Sequence, residues 1–174
     1  MIPDRKPGSM TALDLLDRLL AHDAWTTDGV LQLIDTLSNA QLDQEFDIGH
    51  RTIRETLEHM VGNIEIWTAL MSGGPLRQSS STKPSLLELR QRLEIAFASF
   101  AQLARAVRDN QQLYDLYWDE LDQPPQQKSY AGTILHVLTH DHMHRAEILH
   151  MLQRLGVQGL IEGDVLSWEA SQKS

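Results

Sequence analysis

Eight histidines stand in this chain of 174 residues, and five of them, His136, His140, His142, His144 and His150, fall within one run of fifteen. A neutral imidazole offers a lone pair to a metal ion, and it changes charge closer to neutral pH than any other side chain. Spacing decides what such a cluster can do. Residues four apart on a helix lie one turn apart on the same face. His140 and His144 can therefore present two ring nitrogens to a single divalent ion, as paired histidines of helical zinc sites do. Their lane also holds Val137, Ile148, Met151 and Leu155, which turns it toward an apolar interior. Imidazoles in such a lane need partners for both ring nitrogens. A metal would satisfy one nitrogen on each ring, and Glu147 or Asp141 could accept from the other.

Two imidazoles leave a site incomplete, because a catalytic ion takes three protein ligands and keeps a position open. His59 is the best third candidate. It lies in the lane Thr56, His59, Asn63, Ile66 and Leu70, apart from the apolar stripe of Ile53, Leu57, Val61 and Ile64. Both lanes are then expected to be covered, with His59 and Asn63 as polar members of a mainly buried one. Periodicity does not say whether that lane meets the histidine-rich helix. His136 with His140 has the same four-residue spacing, and His136, at the lane's edge beside Met143 and Glu147, is the rival ligand. His142 faces the opposite side and His150 a flank. Plainer assignments compete: His59 as a hydrogen-bonded structural histidine, and the pair as part of a histidine-rich helix with no ion. Trp25, Trp67 and Trp168 are expected in the core.

Four long segments with helical periodicity must position these residues. The first runs from about Thr11 to Leu37, with Leu13, Leu16, Leu20, Trp25, Leu31 and Ile34 apolar. A polar stretch from Asn39 and a connection over Phe46, Asp47, Ile48 and Gly49 follow it. The second starts at Thr52, an N-cap with Glu55 as its capping-box partner, and stops before Gly73-Gly74-Pro75. A serine run from Ser79 to Thr82 is expected to be mobile. The third begins at Pro84-Ser85 and reaches about Val107, with Leu87, Leu93, Phe97, Phe100, Leu103 and Ala104 inward. Between Asp109 and Ala131 the pattern breaks, and Tyr114, Leu116, Tyr117 and Trp118 suit a packed loop or a short strand pair. The fourth runs from about Gly132 to Leu155. A short C-terminal helix over Asp164 to Ala170 is expected to pack Val165, Leu166 and Trp168 onto the others. The fold class is all-α: a four-helix bundle with an irregular crossover before its last long helix.

The length suits one domain, taken as residues 10–174 behind a flexible polar leader over 1–9 that lacks an apolar signal core. Lys and Arg number 15 against 24 Asp and Glu, a net charge of −9 that repels phosphate backbones and anionic lipid. Nucleic acid is not an expected partner. Nor is a membrane, since no stretch approaches the roughly 20 apolar residues of a span. The absence of cysteine excludes disulfides, a thiolate nucleophile and thiolate metal ligands, and the cytoplasm is the default compartment.

The run His136-Val137-Leu138-Thr139-His140-Asp141-His142-Met143-His144-Arg145 resembles the signature of the DinB-like superfamily, the damage-inducible helical bundles: a histidine, three residues, then a histidine followed by arginine. Gly49-His50-Arg51-Thr52-Ile53-Arg54-Glu55-Thr56-Leu57-Glu58-His59 is similar to the family's run into its first ligand histidine. Asn63 to Gly73, with Trp67 and Met71, continues it. Leu155-Gly156 and Asp164-Val165-Leu166-Ser167-Trp168-Glu169 match a frequent ending. The likeness begins at Asp23-Ala24-Trp25. It implies a bundle in up-down-down-up order, often a homodimer, with one divalent metal on His59, His140 and His144. Many members carry Gly-Gln after the His-Arg; here Ala146-Glu147 stand there, and Glu147 would bring a carboxylate near the ion as its support or a weak fourth ligand.

Members of the superfamily include thiol S-transferases and isomerases that use low-molecular-weight thiols, and metal-dependent hydrolases. The resemblance therefore implies a metal-dependent enzyme acting on a small-molecule substrate. Any thiol must come as a cosubstrate, since the chain has no cysteine. Zinc, nickel, iron and copper all suit imidazole ligands. Glu147 or Asp141 could serve as base or orient a ligand. Arg145, rotated about 100° from His144, could make a structural ion pair or touch substrate. The aromatic run from Tyr114 to Trp118 could wall a pocket or enter the core. Two other classes stand beside the enzyme: a bundle with a structural or sensory metal, and a metal-free bundle acting through dimerisation.

Overall fold

Each long helix starts on a side chain that satisfies one of its first free amides. Asp14 accepts from Asp17 N–H at the head of α1 (Leu15–Ile34). Thr52 accepts from Glu55 N–H at the head of α3 (Ile53–Ser72), and Ser85 from Glu88 N–H before α4 (Leu86–Asp109). Ser129 does the same for Gly132 N–H before α5 (Tyr130–Arg154). The computed structural model describes residues 14–78 and 82–173. The expected leader and the serines 79–81 lie outside the described residues. No described helix is long and apolar enough to cross a membrane.

The capping box expected at Thr52 is only half made. Glu55 bonds the Thr52 hydroxyl at 3.1 Å, while the Thr52 amide donates to His50 O at 2.9 Å and so belongs to the preceding turn. The complete capping box is at Ser38 and Gln41, where it starts a short helix, α2 (Asn39–Leu42), in the stretch read as merely polar. Gly73 and Gly156 end α3 and the turn after α5 at φ 67° and 77°, in the left-handed region that glycine adopts without a steric penalty.

Ion pairs and ring contacts give the helix directions. Asp14 meets Arg108 at 2.7 Å near one end of α1, and Asp35 meets Arg90 at 3.0 Å near the other, so α1 and α4 are antiparallel. Arg54 donates to Pro84 O at 3.0 Å and Glu65 pairs with Arg92 at 2.8 Å, so α3 and α4 run parallel. His59 lies against His140 and Trp67 against His136, which makes α3 antiparallel to α5. The order is up, down, down, up. Leu20, Ile34, Leu57, Val61, Ile64, Leu89, Phe100, Val137, Ile148 and Met151 form the buried centre.

Four expectations need correction. Leu87 is 66% exposed, because the inward lane of α4 is Leu89, Leu93, Ala96 and Phe100, and Leu87 stands about 200° from Leu89. Of its two expected forms, the chain between α4 and α5 takes the strand pair, β1 (Leu116–Asp119) antiparallel to β2 (Gln126–Ser129), but not with the whole aromatic run packed. Strand alternation sends Tyr117 and Asp119 inward and leaves Leu116 and Trp118 exposed, so of the aromatic run only Tyr117 is buried. Its hydroxyl lies 2.7 Å from Thr133 Oγ1. In the last helix, α6 (Val165–Ser171), Trp168 is buried while Val165 and Leu166 face solvent. Trp25 and Trp67 are half-buried, at the edge of the core.

Candidate metal centre

Antiparallel packing of α3 on α5 brings the lane of His59 onto that of His140 and His144. His140 Nε2 lies 3.1 Å from His59 Nε2 and 3.2 Å from His144 Nε2. His144 is buried; His59 and His140 are half-buried. Glu147, next along α5 from His144 by almost one turn, sets its carboxylate 2.7 Å from His144 Nδ1. A carboxylate there fixes the proton on Nδ1 and leaves the lone pair of Nε2 toward His140.

These contacts cannot all be hydrogen bonds. A neutral imidazole has one N–H and one lone pair. With the lone pair of His144 Nε2 fixed, His140 must donate to it from Nε2, and its Nδ1 then needs a donor. That Nδ1 is buried and has no hydrogen-bond partner among the described residues. If His140 instead holds its proton on Nδ1, two lone pairs face each other at 3.2 Å. A cation beside the Nε2 atoms would relieve the facing lone pairs; His140 would then carry its proton on Nδ1, which has no acceptor among the described residues. Two nitrogens on one tetrahedral ion with bonds of about 2.0–2.1 Å stand roughly 3.3 Å apart, close to the separations present.

The electrostatics agree with neutral rings. The pKa of His59 falls to about 4, first from burial and then from the nearby His50 and His144. That of His140 also falls to about 4, from burial and then from His144 and His59. A fourth histidine, His50, completes the group from the loop before α3. Its ring stacks on that of His59 with centroids 3.8 Å apart and planes 27° apart. The three histidines whose ligand nitrogens lie within 4.8 Å of one another, and which could hold a metal ion, are His50, His59 and His144, a set that has His50 where the expected triad has His140. Helical periodicity could not find His50, because it is not on a helix. It stands inside the run Gly49 to His59 that carries the family resemblance, which assigned it no role.

The other candidates separate. His136 is exposed and packs edge-on against Trp67, with centroids 5.3 Å apart; its ring is a neighbour of His140 at 5.2 Å. Asn63 accepts a bond from Trp67 Nε1 at 2.9 Å and so steadies that ring. Asp141 lies away from the histidine cluster, on the side of α5 toward α1. There Arg145 Nη1 sits 2.6 Å from Asp23 Oδ1 and donates to Thr27 Oγ1 at 2.9 Å. Asp23, Asp141 and Arg145 are all buried. Burial first, and Asp23 second, push the Asp141 carboxyl well above the carboxylate range, while burial raises Asp23 against the pull of Arg145. Arg145 thus makes the structural ion pair that was one of its two expected roles. His142 and His150 are exposed.

Beside the cluster, Trp67, Gln127, Lys128, Ser129, Thr133 and His136 line an open groove, and β2 supplies its outer wall. The aromatic run from Tyr114 to Trp118 does not contribute to it.

The fold has relatives among solved structures. The fold is similar to that of a DinB-like protein from Bacillus cereus, with a TM-score of 0.60 and 16% identity over 82% of this chain and 95% of that one. It is also similar to that of a conserved protein from Enterococcus faecalis, with a TM-score of 0.57 and 10% identity over 82% of this chain and 97% of that one. At such identities the likeness speaks for the fold alone. The comparison with curated proteins finds no match. The model of the DinB family matches residues 10–166, and over that span, which includes every histidine of the cluster, the chain belongs to the DinB family.

Proposed function

We propose that this chain is a metal-dependent enzyme that holds one divalent ion on His59, His140 and His144 and acts on a small-molecule substrate. The observation that carries the proposal is the convergence of three Nε2 atoms at 3.1 and 3.2 Å with no consistent pattern of protons between them. Bound there, the ion would supply a Lewis acid that acidifies a coordinated water or thiol. The chain's own part is positional. Glu147 holds the His144 ring in one tautomer, and burial keeps His59 and His140 neutral and ready to donate lone pairs. The groove past His136 gives a substrate access to the same side of the bundle. Zinc, nickel or iron suits the all-nitrogen donor set.

Two reaction types fit: transfer of a low-molecular-weight thiol to an electrophile, and hydrolysis. In the first the thiol is a cosubstrate, since the chain has no cysteine of its own. A homodimer is part of the proposal and is read by sedimentation. The test is turnover of thiol–electrophile pairs and of ester or amide substrates, with metal-loaded protein, chelated protein and His59→Ala. Turnover that needs metal and His59 supports the enzyme. Turnover indifferent to both contradicts it.

A structural or sensory ion is the competing assignment. One observation favours it: His50 stands close enough to supply a fourth imidazole and close the site.

A further inference from the structure

We propose that His50 is a displaceable fourth ligand, which occupies the ion's open position in the resting protein and yields it to an incoming small ligand. This rests on the three-histidine site above. Three observations carry it. The first is position. Its ring stacks on His59 and lies 5.3 Å from that of His144, between centroids. The second is mounting. His59, His140 and His144 project from α3 and α5, whereas His50 is exposed and sits in the connection before α3. Its ring can swing into solvent without opening the core.

The third is the bracing of that connection. Phe46 N–H donates to Arg51 O at 2.7 Å and Arg51 N–H to Ile48 O at 2.9 Å. Gly49 and Arg51, on either side of His50, have φ of 51° and 71°. A Cβ on Gly49 would clash with Glu147 Oε2. The turn therefore seats directly on the carboxylate that orients His144, and one side chain registers both the helical ligand and the loop that carries the fourth imidazole. Held in that way, the backbone stays near the ion while the His50 side chain is free to come and go.

The competition has a magnitude. If His50 fills the position about nine-tenths of the time, an external ligand binds about tenfold more weakly than it would to the open ion. The experiment uses the full chain loaded with cobalt(II), as wild type, His50→Ala and His50→Gln, with imidazole as the probe. Four nitrogen ligands give the wild type the intense visible bands of tetrahedral cobalt. Both variants should lose intensity while keeping their cobalt, regain it on adding imidazole, and bind imidazole about tenfold more tightly than wild type. Stoichiometric cobalt with the same spectrum and the same imidazole affinity in all three proteins would overturn the role of His50 and leave the three-histidine site standing. A wild type that holds no cobalt would overturn the site itself, and this inference with it.

Discussion

Glu147 Oε2 stands 2.7 Å from Nδ1 of His144, three residues before it on α5, and the backbone of Gly49 closes over the same carboxylate. In the neutral ring this contact puts the proton of His144 on Nδ1 and the lone pair on Nε2, which faces His140. In this chain Ala146-Glu147 follow the His-Arg pair, and the Glu147 carboxylate supports His144.

Removing that support should weaken the site without abolishing it. Glu147→Ala is expected to lower metal affinity about 10–100-fold, the usual cost of losing a partner to a ligand imidazole. Glu147→Gln should cost less, because an amide oxygen still accepts from Nδ1. Gly49→Ala should act in the same direction as Glu147→Ala, by pushing the carboxylate off His144. Chelator-competition titration measures all three, and equal affinities across the series would contradict the role given to Glu147.

On the other side of α5, Arg145 pairs with the buried Asp23, and the buried Asp141 lies close enough to feel both charges. Arg145→Met removes the partner of the buried Asp23 and should destabilise the fold by about 3–5 kcal/mol. Asp141→Asn should do the opposite at neutral pH, since it removes the carboxyl that Asp23 and burial oppose. Its folded pKa is raised, so the native Asp141 supports the fold only while protonated, and that support is lost as pH rises through the folded value. The gain from Asp141→Asn should therefore shrink on acidification. Urea unfolding at several pH values reads both signs.

The metal-free protein should lose stability as pH falls. His59 and His140 have pKa values of about 4 in the fold, against the ordinary histidine value of 6.5. The unfolded chain takes up protons below about 6.5 and the native chain does not until about 4, so stability declines across that window and levels below it. Thermal melts of chelated protein from about pH 7.5 to about pH 4 should show the decline, and a His59→Leu, His140→Leu double variant should flatten it. An equal slope in the two proteins would count against those shifts.

Much of the fold could be read along the chain because its signals are local. Ser85, Thr52 and Gly156 mark helix ends by their own chemistry, and the lane of Val137, His140, His144 and Ile148 follows from helical spacing alone. What could not be read is where lanes meet. His59 came to His140 through the antiparallel packing of α3 on α5, and Asp141 went to Asp23, because neighbours on a helix about 100° apart face different partners. His50 could not be found by periodicity because a turn with two left-handed residues has none. Leu87 and Leu166 were misplaced for a related reason: near a helix end, being apolar does not decide which face a residue takes.

The central claim is that His59, His140 and His144 together hold an ion, and metal content tests it most directly. Protein purified without chelator, then dialysed against zinc and freed of excess, is measured by elemental analysis alongside His59→Ala, His140→Ala and His144→Ala. One bound ion per wild-type chain is expected, with a large loss in every variant and circular dichroism unchanged. An ion retained at full stoichiometry in all three folded variants, or none in the wild type, would contradict it.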